Sequence, residues 1–273
     1  MDWLNSLILL FPQGTIALAE RDLMLQATLF MLIVAVPVFG LIFFFAWHYR
    51  AGNQKAKYTP DWAHSNLEEL IWWAIPLEIV LILGALTWTS THELDPRRAL
   101  SDTPPIVIEA VALDWKWLFI YPEQKIATLN YVEIPAGQPV EFRVTADAPM
   151  NSLWIPSLGG QIYAMTGMVN ELNLMAPEPG RFDGRSANYS GPGFKDMQFV
   201  AQADTKENFE AWVKSVQGNY PDLNDDSYAV LVKPATSTPT SFGNVEGDIF
   251  ARIVGKYMDM DPAEGHDHGD HDH

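Results

Sequence analysis

The 273-residue chain contains no cysteine. That absence excludes disulfides, thiolate metal sites, iron–sulfur ligation and a cysteine nucleophile. It also excludes a lipid anchor on a cysteine. Positive charge is scarce: 17 Lys and Arg stand against 34 Asp and Glu, a net of −17. This balance argues against nucleic acid as a partner, because phosphates require Lys and Arg. The segment Met1–Asp22 lacks a basic n-region, and Asp2 is its only early charge. It does not read as an intact signal peptide. Either the first apolar run is inserted directly or the chain starts after processing. No internal repeat is visible.

What is abundant is long apolar sequence near the start. Leu23 to Trp47 is 25 residues without a charge, and Leu70 to Thr89 is 20 residues with a single charge, Glu78. About 20 apolar residues cross the hydrocarbon core as a helix, and Pro37 and Gly40 are tolerated in such a helix. Trp47, Trp62, Trp72, Trp73 and Trp88 cluster at the run ends, where an interfacial belt places them. Two buried core helices are the alternative, and two uninterrupted runs of this length favour membrane spans instead. Arg50, Lys55 and Lys57 lie between the runs, and Arg21, Arg97 and Arg98 lie on the other side. Three against three sets no orientation. A hairpin nevertheless puts both ends on one side, together with the acidic remainder. Residues 1–100 carry a net −3 and the rest −14.

From about Thr103 the pattern changes to short β-rich runs: Ile106–Ala112, Trp115–Tyr121, Val140–Thr145 and Glu171–Met175. Turn clusters at Pro135-Ala136-Gly137 and Pro177-Glu178-Pro179-Gly180 separate them. This spacing predicts a β-sandwich or barrel. Lys206–Val216 reads as a helix with Phe209, Trp212, Val213 and Val216 on one face. Pro234 to Ser241 reads as a linker, and Val245–Met258 as a last helix. The expected organisation is an N-terminal segment (1–22), a transmembrane helical hairpin (23–98) and a β domain (99–205). A C-terminal helical extension with linker (206–258) and an acidic His-rich tail (259–273) complete it.

The second run opens with His64-x-Asn66-x-x-Glu69-x-x-x-Trp73-x-x-Pro76, which resembles the second-helix motif of subunit II of the haem–copper respiratory oxidases. Trp115-Lys116-Trp117-Leu118-Phe119-Ile120-Tyr121 resembles its tryptophan-rich strand. Met150 to Gly159 resembles the strand that carries the first copper histidine in cytochrome c oxidases. The resemblance covers roughly residues 5–215 and implies a two-helix transmembrane hairpin followed by an all-β cupredoxin-like sandwich, with C-terminal helices.

The copper motif of the cytochrome c-oxidising members, C-x-E-x-C-x-x-x-H-x-x-M, aligns without gaps on Ser186 to Met197. The bridging cysteines become Ser186 and Ser190, the glutamate becomes Asn188, and the second histidine becomes Phe194. The first histidine becomes Asn151, and Met197 alone survives. Neutral hydroxyls are poor substitutes for bridging thiolates, and Phe194 ligates nothing. Met197 reads better as core filler than as a lone weak ligand. The six positions therefore read as non-binding. Metal-free chains with a Ser-Gly-Pro-Gly-Phe segment resemble those of bo-type quinol oxidases. The resemblance implies ubiquinol as the donor, haems and copper in subunit I, other small membrane subunits as partners, and no cofactor in this chain. It also implies a bacterial inner-membrane location with the β domain in the periplasm.

The resemblance further places Glu69 at the cytoplasmic entrance of a proton-uptake path continuing in subunit I. A carboxylate suits that role, because its proton affinity responds to burial. The alternative is an interfacial glutamate that prefers water. Glu78 lies nine residues on, roughly 13 Å deeper and about 180° around the helix. An acid there faces a protein partner or a water cavity, so contact with subunit I and a protonated bystander are the two readings. Trp115 and Trp117 read as strand packing, since aromatics favour strands. The tail His266–His273 alternates His and carboxylate. It reads as a disordered acidic tail with incidental metal affinity rather than a dedicated site. A copper-bearing electron carrier and a membrane-tethered copper chaperone or binding module are the competing functions. The lost ligands argue against the first, and the Glu69 motif argues against the second.

Overall fold

In the computed structural model, residues 9–57, 59–61 and 64–258 are described. The early Asp2, Trp62 of the aromatic belt and the His-rich tail lie outside them. Both long apolar runs are helical and extend past the run ends. Helix α1 spans Thr15–His48 and α2 spans Asn66–Glu93. Ser65 caps α2 by accepting the Glu68 N–H, which satisfies one of the helix's open donors. Pro37 and Pro76 lie inside the helices. Their large apolar side chains are almost all exposed, from Leu29 and Phe43 on α1 to Trp73 and Leu81 on α2. Both helices are long and apolar enough to cross a bilayer.

The chain divides into two units, Arg21–Asp95 and the described residues on either side of it. The second unit is a sandwich of two sheets. Strands β1 (Ile106–Leu113), β2 (Lys116–Tyr121), β3 (Ile126–Leu129), β5 (Val140–Ala146), β8 (Asn170–Leu174) and β11 (Thr240–Phe242) form one sheet. Its order is β11-β3-β2-β1-β5-β8. Strands β4 (Tyr131–Pro135), β6 (Asn151–Trp154), β7 (Gln161–Ala164), β9 (Gly180–Ser186) and β10 (Gln198–Asp204) form the other, ordered β4-β10-β9-β6-β7. Among the described strands, only β1–β5 and β4–β10 pair in parallel.

Strand alternation sends Ile108, Ala110, Ala112, Trp117, Phe119 and Tyr121 inward, against Leu153, Phe182 and Phe199. The opposite face of the same strands is also apolar and also buried. Val111, Leu113, Leu118, Ile120 and Leu129 pack under the C-terminal extension, against Leu223, Phe242, Ile249, Phe250 and Ile253. Burial on both faces accounts for the near-continuous apolar runs in β1 and β2.

The extension comprises α3 (Lys206–Asn219), α4 (Asp225–Leu231) and α5 (Ile249–Met258). Thr205 caps α3, and an Asn224–Ser227 capping box starts α4. Three sequence-based boundaries move. The linker does not run unpaired to Ser241, because Thr240–Phe242 pairs with β3. The last helix begins at Ile249, since Val245 instead bridges to Leu223. Trp115 is not in the strand; it occupies the β1–β2 turn with φ +63.

Candidate functional site

Four of the six positions matching the copper motif converge at one end of the sandwich. Asn151 opens β6, Ser186 ends β9, and the loop between Ser186 and β10 carries Ser190 and Met197. The Asn151 amide donates to Ser190 Oγ at 3.0 Å and to Met197 Sδ at 3.2 Å. Its Oδ1 accepts the Ser152 N–H at 2.7 Å. Ser186 Oγ accepts the Trp117 indole N–H at 3.0 Å. Backbone bonds from Ser186 to Met197 and from Ala187 to Ser152 close the ring of strands. Every polar group is used, as burial requires.

Asn188 and Phe194 make separate contacts. Asn188 donates to the Met150 carbonyl at 3.2 Å. Phe194 starts a short 3-10 helix and meets Tyr189 edge-on at 5.6 Å. The half-buried Trp115 clamps the same loop, its indole donating to the Ser190 carbonyl at 3.1 Å. A Cβ at Gly193 would lie 2.3 Å from the Trp115 ring. The second glycine of the Ser-Gly-Pro-Gly-Phe segment is thus fixed by that close approach.

The fold family suggests copper here, and these residues do not fit it. The amide presents N–H groups toward the thioether and the hydroxyl, and both hydroxyls sit in hydrogen bonds. No thiolate or imidazole is present. Soft or nitrogenous ligands are what copper selects.

Glu69 lies in the first turn of α2, its N–H bonded to the Ser65 carbonyl at 3.0 Å. Its carboxylate is 3.7 Å from His64 Nδ1. The helix N-terminus favours this negative charge. Glu78 is exposed on α2.

The sequence reading missed a different polar centre. Asp147, at the end of β5, has a side chain 2% exposed. It accepts from Tyr228 of α4 at 2.8 Å, and from Lys256 at 2.7 Å and Tyr257 at 2.5 Å on α5. Its hydrogen bond holds the Lys256 ammonium above the ordinary lysine value. Burial, reinforced by the carboxylate, pushes the Tyr228 phenol up. Lys116, whose ammonium is lowered by desolvation, donates to the Lys233 and Ala235 carbonyls. Asn130, at φ +53, donates to the Ser237 carbonyl. Together they lace the Pro-rich segment to the sheet. These partners lie 81 to 119 residues apart, so no local pattern announces them.

No family model matches the chain. Curated relatives do. Cytochrome bo(3) ubiquinol oxidase subunit 2 of Pseudomonas aeruginosa is 49% identical over 95% of this chain and 79% of its own length. The Pseudomonas putida protein of the same name is 51% identical over 92% and 81%. Ubiquinol oxidase subunit 2 of Acetobacter aceti is 44% identical over 93% and 85%. Among solved structures, the periplasmic domain of cytochrome oxidase subunit II of Bradyrhizobium japonicum matches at 20% identity. It covers 41% of this chain and 94% of that one, with a TM-score of 0.40. With nearly half its residues identical over almost its whole length, the chain belongs to the ubiquinol oxidase subunit 2 family.

Proposed function

We propose that the chain is the non-catalytic subunit II of a proton-pumping complex in the bacterial inner membrane. The complex oxidises ubiquinol and reduces dioxygen to water. The observation that carries this reading is the neutral network at Asn151, Ser186, Ser190 and Met197. A lipid-soluble donor can deliver electrons within the membrane, so the β domain needs no relay. Haems and copper are assigned to subunit I, and this chain carries no redox centre. Its α1–α2 hairpin anchors it beside subunit I and the small membrane subunits and supports their assembly. The β domain faces the periplasm and the Arg50–Lys57 loop the cytoplasm.

In this reading Glu69 stands at the cytoplasmic entrance of proton uptake, with His64 as a second titratable group nearby. Glu78, roughly 13 Å deeper, contacts a polar group of subunit I, because an uncompensated acid at that depth is costly. A copper-chaperone role has less support: Met197 is buried and its sulfur already accepts from Asn151.

Oxygen consumption by the purified complex tests the reading with two donors. Turnover is expected with a ubiquinol analogue and absent with reduced cytochrome c. Turnover with cytochrome c would overturn it. Glu69→Gln is expected to slow turnover without changing the KM for quinol. Glu78→Leu is expected to lower the yield of assembled complex.

A further inference from the structure

The outer face of the six-stranded sheet and the entry to α5 border a half-open cavity of about 420 Å³. Glu109 of β1, Lys125 of the β2–β3 turn, Asn244 and Asp248 line it. Tyr121 also borders it, but its hydroxyl is engaged in the core with the Glu133 backbone. Gly247 precedes Asp248 with φ +68, a conformation glycine adopts without strain. The chain therefore turns sharply just before the helix. Asp248 Oδ1 accepts the Ala251 N–H at 2.8 Å, a cap position that favours negative charge.

Glu109 thus shares its cavity with a second carboxylate. The cations nearby compensate it only in part. Arg143, in register with Glu109 on the parallel strand β5, is bound to Glu141 at 2.7 Å and also feels Glu171. Lys125 is exposed. Burial first, and Asp248 second, push the Glu109 carboxyl up to about 7, while Arg143 opposes them.

We infer that Glu109 and Asp248 form a protonation-controlled latch for the C-terminal helix. With a proton on Glu109 the entry to α5 seats against the sheet. Without it the two carboxylates repel, and residues 243–249 open about Gly247. The seated form holds the proton to higher pH than the open form. Its stability is therefore fully present below the ordinary carboxylate range and declines as pH rises toward 7. This goes beyond the proposed oxidase role and does not depend on it. In the proposed orientation, the side receiving pumped protons is the side on which acid closes the latch.

Hydrogen exchange of the Ile249–Met258 amides in the intact complex tests the latch at pH 6 and pH 8, after correction for intrinsic rates. Wild-type protection is expected to fall several-fold between the two, and at most about tenfold. In Glu109→Gln it is expected to be equal at both pH values and no lower than wild type at pH 6. Asp248→Asn keeps the cap but removes the charge, so its pH dependence is expected to shrink. Equal wild-type protection at the two pH values overturns the latch. So does pH dependence that persists in Glu109→Gln. If that variant does not fold, an unchanged pH dependence in Asp248→Asn overturns it instead.

Discussion

At residues 151, 186, 190 and 197, neutral side chains hold two strands and a loop together. At Asp147, one buried carboxylate holds two helices against the sheet. Both centres tie distant segments of one sandwich. They differ in charge. The neutral centre works through several modest bonds, each about 1 kcal/mol net. The charged centre concentrates three charge-assisted or phenolic bonds on one residue, so its removal strands more. The difference teaches which kind of polar cluster can close on itself. An amide, two hydroxyls, a thioether and the Trp117 indole pair among themselves without any ion, whereas the carboxylate at 147 depends wholly on its charged and phenolic partners.

Breaking the charged side of the comparison has the largest expected effect. Asp147→Ala leaves Tyr228, Tyr257 and Lys256 without their common acceptor. A loss of about 2–4 kcal/mol is expected, the lower part because Lys256 is half exposed and regains water. The readout is a lower melting temperature of the complex and early proteolytic release of residues 225–258. Wild-type melting in this variant would show that the clasp adds nothing to the apolar contacts beneath it.

On the neutral side, Gly193→Ala comes next. Its new methyl would meet the Trp115 ring at 2.3 Å, and overpacking of this kind costs about 1–3 kcal/mol. The penalty is expected to vanish in a Trp115→Ala background, which a double-mutant cycle measures. An additive cycle would detach the loop from the clamp. Asn151→Ala follows at about 1–2 kcal/mol, since Ser190 and Met197 lose a donor and the Ser152 N–H loses an acceptor.

These two centres also mark how far sequence reading carried. The two helices were legible because apolar runs of 20 and 25 residues have few other uses. The convergence of residues 151, 186, 190 and 197 was legible in part, because the gapless alignment of Ser186 to Met197 already grouped three of them with Asn151. Strands such as Gly180–Ser186 were not, since a Gly-, Arg- and Asp-containing run carries a loop's composition and becomes a strand through its partners in β10 and β6. Trp115 was misplaced for a related reason. Its aromatic character favours a strand, yet the turn and the Ser190 carbonyl claim it. Asp147 was invisible because nothing near it in sequence is its partner.

The smallest expected effect separates the two centres by pH. The neutral network has no proton to exchange, so the cost of Asn151→Ala should be the same at pH 9 and pH 11. The clasp contains Lys256, whose ammonium is raised above its ordinary 10.5 by Asp147. A base with a raised value contributes stability that is fully present below 10.5 and is lost as pH climbs through the folded value. Lys256 is half exposed, so water screens most of the shift and under about 1 kcal/mol is at stake. Lys256→Met should therefore cost a little at pH 9 and less at pH 11, as measured by denaturant unfolding of the complex at both. A penalty that stays constant would assign Lys256 a packing role over the Tyr257 ring, which its ammonium approaches at 5.0 Å. Asp147 would then hold the extension through its two phenols alone.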